Sequence, residues 1–216
     1  MSKIDILHKS CLLLVKRLGD FYMAEKMDRR VRKTKAQLRE GLARLMQQKS
    51  IKEISVKELV DEVDINRSTF YLHYTDIYQM LQKIEEDAMQ NITEVMKKYP
   101  INSDNPDTVL QFIVQFFSIM YNDRDLCLAL LGPHGDMAFV EQIENLLAET
   151  FLKRLPEKLP KNDPNIKYPY AFILNGCVGL IRTWLSCPVK ESPDQVARMT
   201  YRFIEDTAQG YLNMQK

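Results

Sequence analysis

The chain has 216 residues and carries 30 Lys and Arg against 29 Asp and Glu, a net charge of +1, so a nucleic-acid partner has to be sought in local charge rather than in the total. With 45% hydrophobic and 27% charged residues it has the balance of a soluble globular protein of one or two domains, long enough to bury a proper core. Cys11, Cys127, Cys177 and Cys187 show neither Cys-x-x-Cys spacing nor a metal-ligand rhythm, which excludes a zinc ribbon and fits free thiols in a reducing cytoplasm.

In chain order, Ile4, Leu7, Cys11, Leu14, Val15 and Leu18 recur at helical spacing, and Lys16 and Arg17 end the apolar run too soon for a membrane span. Gly19-Asp20-Phe21 is a poor signal-cleavage site. Residues 1–28 are therefore expected to form an extra amphipathic helix docked on the rest. Pairing between subunits and an upstream start codon are the alternatives. The next segment holds Arg29, Arg30, Arg32, Lys33, Lys35, Arg39, Arg44, Lys49 and Lys52 against a single acid, Glu40. Leu38, Leu42, Leu45 and Met46 keep a helical period through it, with Thr34 placed near the helix start. Such a stripe is either a solvated face or a phosphate-binding one; counterion release rewards the second.

Residues 55–74, SVKELVDEVDINRSTFYLHY, contain two helix starts around a tight turn. Ser55 and Glu58 have the spacing of a capping box, and Val56, Leu59, Val60 and Val63 share one helical face. Asp64 stands where the chain turns, Asn66 is a good N-cap, and Ile65 with Phe70 has the spacing of a hydrophobic staple. In the second helix Phe70 and Tyr74 face the small core, while Ser68 and Leu72 point the other way. Thr69 and His73 flank them on one side and Tyr71 on the other. Hydroxyls and an imidazole suit phosphates, one apolar tip suits a thymine methyl, and Arg67 is in reach of a guanine edge. Lys57, at the start of the first motif helix, joins the expected contacts. The alternative is a two-helix corner with a polar exterior.

RKTKAQLREGLARLM followed by ISVKELVDEVDINRSTFYLHY closely resembles the N-terminal domain of tetracycline-repressor (TetR) family regulators over about residues 30–81. That family's recognition helix reads roughly Thr-Leu-Tyr-x-His-Phe; here the stretch is Thr69, Phe70, Tyr71, Leu72, His73, Tyr74. The resemblance implies that Arg67, Ser68 and Leu72 face bases and that Thr34, Thr69, Tyr71 and His73 hold the DNA backbone. Two departures stand out. The turn Gly of the family is Asp64, and a Lys-Glu pair at the start of the fourth helix is replaced by Ile77 and Tyr78.

Downstream, Ile77, Leu81, Ile84, Ala88, Ile92 and Val95 mark a long helix from Asp76 to Tyr99, stopped by Pro100. Further helices are expected at about 106–121, 123–131, 136–155, 168–187 and 193–214, with a polar connection from Pro156 to Pro169. Tyr170 to Leu185 is apolar nearly all round and is expected to be buried on several sides, with Gly176 and Gly179 permitting close backbone approach. Val196, Met199, Phe203, Ile204, Ala208 and Tyr211 form one stripe on the last helix. GCVGLIRTWL and SPDQVARM resemble the C-terminal domain of the branch that includes dihydroxyacetone-kinase regulators.

The reading is an all-α protein. It has an extra helix over residues 1–28, a three-helix helix-turn-helix DNA-binding domain over 29–75, and a helical ligand-binding and dimerisation domain over 76–216. The resemblance implies a cytoplasmic homodimer, paired through its last two helices, that binds double-stranded DNA and releases a palindromic operator on binding a small-molecule effector. The helix from Asp76 would be the lever between domains. Met80, Phe112, Phe116, Met120, Tyr121 and Trp184 are candidates for an effector pocket, although Met and aromatic residues at helical spacing are more often plain core. A co-activator that uses the scaffold to bind another protein, with weak DNA contact, is the competing reading. An enzyme, a metal or a cofactor is not expected: His8, His73 and His134 lie in unrelated settings, and no nucleophile–base set or Gly-rich phosphate loop is present.

Overall fold

The computed structural model of the protein describes residues 28–100, 105–154, 163–187 and 191–214; the expected helix within residues 1–27 lies outside them. The described residues are all-α. Helix α1 covers residues 28–46, and a short 3-10 turn, Ile51–Glu53, leads into α2, Val56–Glu62, and α3, Arg67–Tyr71. Then come α4, Ile77–Lys98; α5, Pro106–Asn122; α6, Arg124–Leu131; α7, Met137–Arg154; α8, Lys167–Ser186; and α9, Pro193–Met214.

Local signals set the helix ends. Asn66, Asp76 and Asn105 accept from the amides of Ser68, Gln79 and Asp107, each an N-cap bond that satisfies an orphan donor. Ser55 caps α2 by accepting from Glu58 N at 3.2 Å, but the expected box is half formed, because the Glu58 carboxylate pairs with Lys49 instead. The polar connection expected to reach Pro169 ends earlier: α8 starts at Lys167 and takes Pro169 into its first turn, where no amide is needed. Residues 155–162 of that connection lie outside the described residues.

Asp64 ends α2 in the left-handed region, with φ 52°. Ile65 N bonds Val60 O at 2.9 Å and Asp64 N approaches Asp61 O at 3.4 Å, the pair of backbone bonds of a Schellman stop. Glycine adopts this conformation without a Cβ penalty. Asp64→Gly is therefore expected to stabilise the protein by about 0.5–1 kcal/mol, read as a higher midpoint in urea or heat unfolding.

Two apolar cores organise the molecule. The first gathers Leu38, Leu42 and Met46 of α1, Leu59 and Val60 of α2 and Phe70 of α3. It continues into Met80, Leu81 and Ile84 of α4 and Leu126, Ala129 and Leu130 of α6, so α4 and α6 close the underside of the three-helix head. Gly41 is pressed against α2 here: a Cβ at this position would stand 2.2 Å from Val63 Cγ1. The second core is built on Ile92, Phe112, Phe116, Phe117, Ile181, Trp184 and Val196.

Helix α8 departs from expectation. Within one chain only Ile181, Trp184 and Leu185 of it are buried, and Phe172 is 70% exposed. The stripe on α9 splits likewise: Val196 is buried, whereas Met199 and Phe203 lie open. Among the described residues nothing within 4 Å would meet a Cβ on Gly176 or Gly179, so the close approach they permit is not used there. The described residues cover only one side of this helix pair.

Candidate nucleic-acid interface

Phe70 is fully buried and Tyr74 nearly so, and their rings, 5.7 Å apart, seat α3 on the first core. That seating turns the rest of α3 outward. Arg67 and Ser68 are exposed, Tyr71 is about half exposed, and Leu72 is 79% exposed, while Thr69 and His73 are partly covered. The two-sided helix read from the sequence is thus present. The Asn66 side chain accepts from both the Ser68 amide and the Ser68 hydroxyl, fixing the serine at the tip.

Arg67 is held in place before any partner arrives. Its Nη2 donates to the Tyr71 hydroxyl at 3.0 Å, and its guanidinium lies 5.5 Å from the Tyr71 ring centre. The sequence pattern missed this coupling, although an Arg and a Tyr four residues apart on a helix is its local signal. His73 faces the α1 side; partial burial and then Lys35 push its imidazole below the usual histidine range, which favours the neutral ring. A neutral ring still has one N–H to donate.

The basic stripe is only partly free. Arg39, Arg44 and Lys49 form ion pairs with Asp123, Glu62 and Glu58, and Arg32 pairs with Asp28. Arg29, Arg30, Lys33, Lys35, Lys52 and Lys57 remain exposed cations. Thr34 is not at a helix start: α1 is already running at residue 28, so Thr34 presents its hydroxyl and not a free amide. Of the departures at α4, Ile77 is buried in the first core and Tyr78 is exposed, so neither brings a cation to the surface.

The head is tied to the helical body by polar contacts as well as by core. Arg39 Nη2 bonds Asp123 Oδ2 at 2.9 Å, and Gln47 Nε2 bonds Asp125 O at 3.0 Å. Below these ties a cavity of about 100 Å³ opens among α4 to α8. Of the six candidates for an effector pocket, Phe116 and Met120 line this cavity. The other four candidates are placed differently. Met80 is fully buried in the first core, under the head, and Phe112 packs in the second. Tyr121 stacks on Trp184 with ring centres 5.7 Å apart, and the Trp184 indole donates to Glu191 O. Cys127 and Cys177 also line the cavity and were missed; burial pushes both thiols up, to about 12 and about 11, which leaves them unreactive packing groups.

A three-helix head with a short helix turned outward, carried on a bundle with a cavity, has the architecture of a helix-turn-helix unit with a companion helical unit. A TetR C-terminal family model, described as a transcriptional regulator C-terminal region, matches residues 107–206. An uncharacterized HTH-type transcriptional regulator, YxbF of Bacillus subtilis (strain 168), is 23% identical over 182 residues, 78% of this chain. The match takes in 44% of that relative, so this chain spans less than half its length. Among solved structures, a TetR transcriptional regulator from Streptococcus agalactiae 2603V superposes with a TM-score of 0.51 at 21% identity, over 84% of this chain and 98% of that one. NalD of Pseudomonas aeruginosa, the secondary repressor of the MexAB-OprM multidrug efflux pump, gives 0.56 at 13% identity, over 82% and 97%. These structures share the fold. The C-terminal match and the regulator relative make this chain similar to TetR-type transcriptional regulators. Such regulators are as a rule not enzymes, and no described helix is long and apolar enough to cross a membrane.

Proposed function

We propose that the protein is a cytoplasmic homodimer that binds a pseudo-palindromic operator and is released from it by a small-molecule effector. The unit over residues 29–75 is the DNA-binding head, and the unit over 76–216 pairs the subunits and holds the effector; residues 1–28 are an additional segment. The observation that carries this reading is the outward face of α3, with Arg67, Ser68 and Leu72 at its crest and Thr69, Tyr71 and His73 on its flanks. The crest enters the major groove, and the flanks, Thr34 and Lys57 hold the backbone. No catalytic group is assigned. Paired heads place the two half-sites about 34–36 Å apart or a little more.

Titration of the protein on genomic fragments against random duplex at moderate salt tests the reading. Tight binding to a fragment with an inverted repeat is expected; equal affinity for all duplexes overturns it. Arg67→Ala should cost about 1–3 kcal/mol, concentrated at one base position. Equal losses at every position would remove its role. His73→Ala should weaken all sequences alike and flatten the salt dependence.

One observation favours the second reading, a co-activator with weak DNA contact. The first turn of α4 offers Ile77 to the core and Tyr78 to solvent where the family resemblance implies a phosphate-gripping lysine. Restoring a cation with Tyr78→Lys distinguishes the two: a modest gain on an operator already bound supports the regulator, and specific binding that appears only in the variant supports the co-activator.

A further inference from the structure

We infer that the cavity under the Arg39–Asp123 tie takes an amphipathic monocarboxylate, with its apolar chain in the bundle and its carboxylate on Arg39. The inference rests on reading residues 76–216 as an effector domain, not on DNA binding.

The walls of the cavity are apolar, with Ile92, Phe116, Met120, Leu130, Val140 and Ile181 among them, and its charged lining residues are Arg39, Asp123 and Glu144. A cavity of about 150 Å³ holds a benzene-sized ligand, so a volume of about 100 Å³ takes a head group with only its first few carbons, roughly four heavy atoms. A second space of about 150 Å³ shares the lining residues Leu147, Leu174 and Cys177, and the two together take roughly ten heavy atoms, the size of an eight-carbon carboxylate.

Arg39 sets the head group. Its Nη2 is bonded to Asp123, but its Nε is buried with no hydrogen-bond partner. A buried donor without an acceptor is costly, and a ligand that supplies one gains what the protein alone lacks. A carboxylate engages Nε and Nη2 together in the two-pronged geometry of guanidinium pairs. An ammonium cannot fill this need, because it brings only donors. A second anionic group is opposed by the apolar walls and by Glu144.

Asp123 has somewhere to go. It is the N-cap residue of α6, and its carbonyl accepts from Cys127 N at 2.9 Å, yet its side chain makes no cap bond because it is spent on Arg39. An aspartate in this position ordinarily bonds the first helical amides. Ligand binding therefore exchanges one arrangement for another. The carboxylate takes the arginine, Asp123 turns onto α6, and one polar tie between head and body is released. The site thus has two discrete states that effector and head both bias.

Calorimetric titration of the full chain without DNA, using octanoate, octylamine and octan-1-ol, tests this. Octanoate should bind at least tenfold more tightly than either of the others. Arg39→Met should erase that preference, and Asp123→Asn, which removes the competing carboxylate, should tighten octanoate at least threefold. Equal affinity for the three compounds, a preference for octylamine, or weaker octanoate binding by Asp123→Asn overturns the assignment. The wild-type comparison and the Asp123 variant decide it even if Arg39→Met does not fold. Failure to bind any duplex would refute the regulator reading and leave this result untouched.

Discussion

Phe203→Glu is expected to turn a dimer into a monomer and to abolish tight operator binding. Phe203 is 56% exposed on α9, and Phe172 on α8 is more open still. Between them runs a groove of about 490 Å³ that includes Gly176, Leu180 and Thr200. An apolar face with bulky aromatic side chains beside a glycine-lined groove is self-complementary in form, as an interface with two-fold symmetry must be. In such an interface every substitution is made twice. Burying an unpaired carboxylate costs on the order of several kcal/mol, so two of them should raise the dimer dissociation constant by about a thousandfold or more. With the heads no longer linked, operator affinity should fall by roughly 10²–10⁴. Sedimentation or light scattering reads the first effect and fluorescence titration on a full operator the second. A Phe203→Glu protein that stays dimeric would move the interface elsewhere.

Phe70→Ala is expected to be the most damaging single truncation in the head. Its ring is completely buried, seats α3 on α1 and α2, and meets Tyr71 edge-on at 5.5 Å between ring centres. Truncating a buried phenylalanine costs about 3–5 kcal/mol, a large share of the 5–15 kcal/mol that typically separates a folded domain from its unfolded chain. Here the loss also unseats the reading face, because Arg67 and Ser68 take their direction from the residue that anchors the helix. Denaturant unfolding should show the drop in stability, and DNA binding should fail before the protein has globally unfolded. Phe70→Leu, which retains most of the volume, should recover a large part of both.

The head was legible in the sequence because its determinants are local. Caps at Ser55 and Asn66, the Asp64 turn and the buried Phe70 lie within a few residues of what they control. Helix ends further along were marked in the same way, by Asn105 before Pro106 and by Asp136 before α7, where its side chain accepts from Ala138 N. Local signals fail where a residue has a rival partner. Glu58 had the spacing to complete a box but met Lys49. Four cations of the basic stripe were claimed by acids, one of them 84 residues away. Periodicity also cannot say which core a side chain joins. Met80 and Phe116 look alike in a helical pattern, yet the first lies beneath the head and the second beside the cavity. The open side of α8 was illegible for another reason: an apolar surface reads the same whether its cover is the chain itself or another molecule.

The eight residues of α6 carry a consequence for how this protein can change over generations. Leu126, Ala129 and Leu130 belong to the packing of the head, while Cys127, the residue after Leu126 and so about 100° round the same short rod, belongs to that of the body. With neither flank free, a volume change on one side has to be accommodated on the other. Substitutions that reshape the core of the body will therefore arrive together with compensating ones beneath the head, and diverging lineages should show paired drift across this strip.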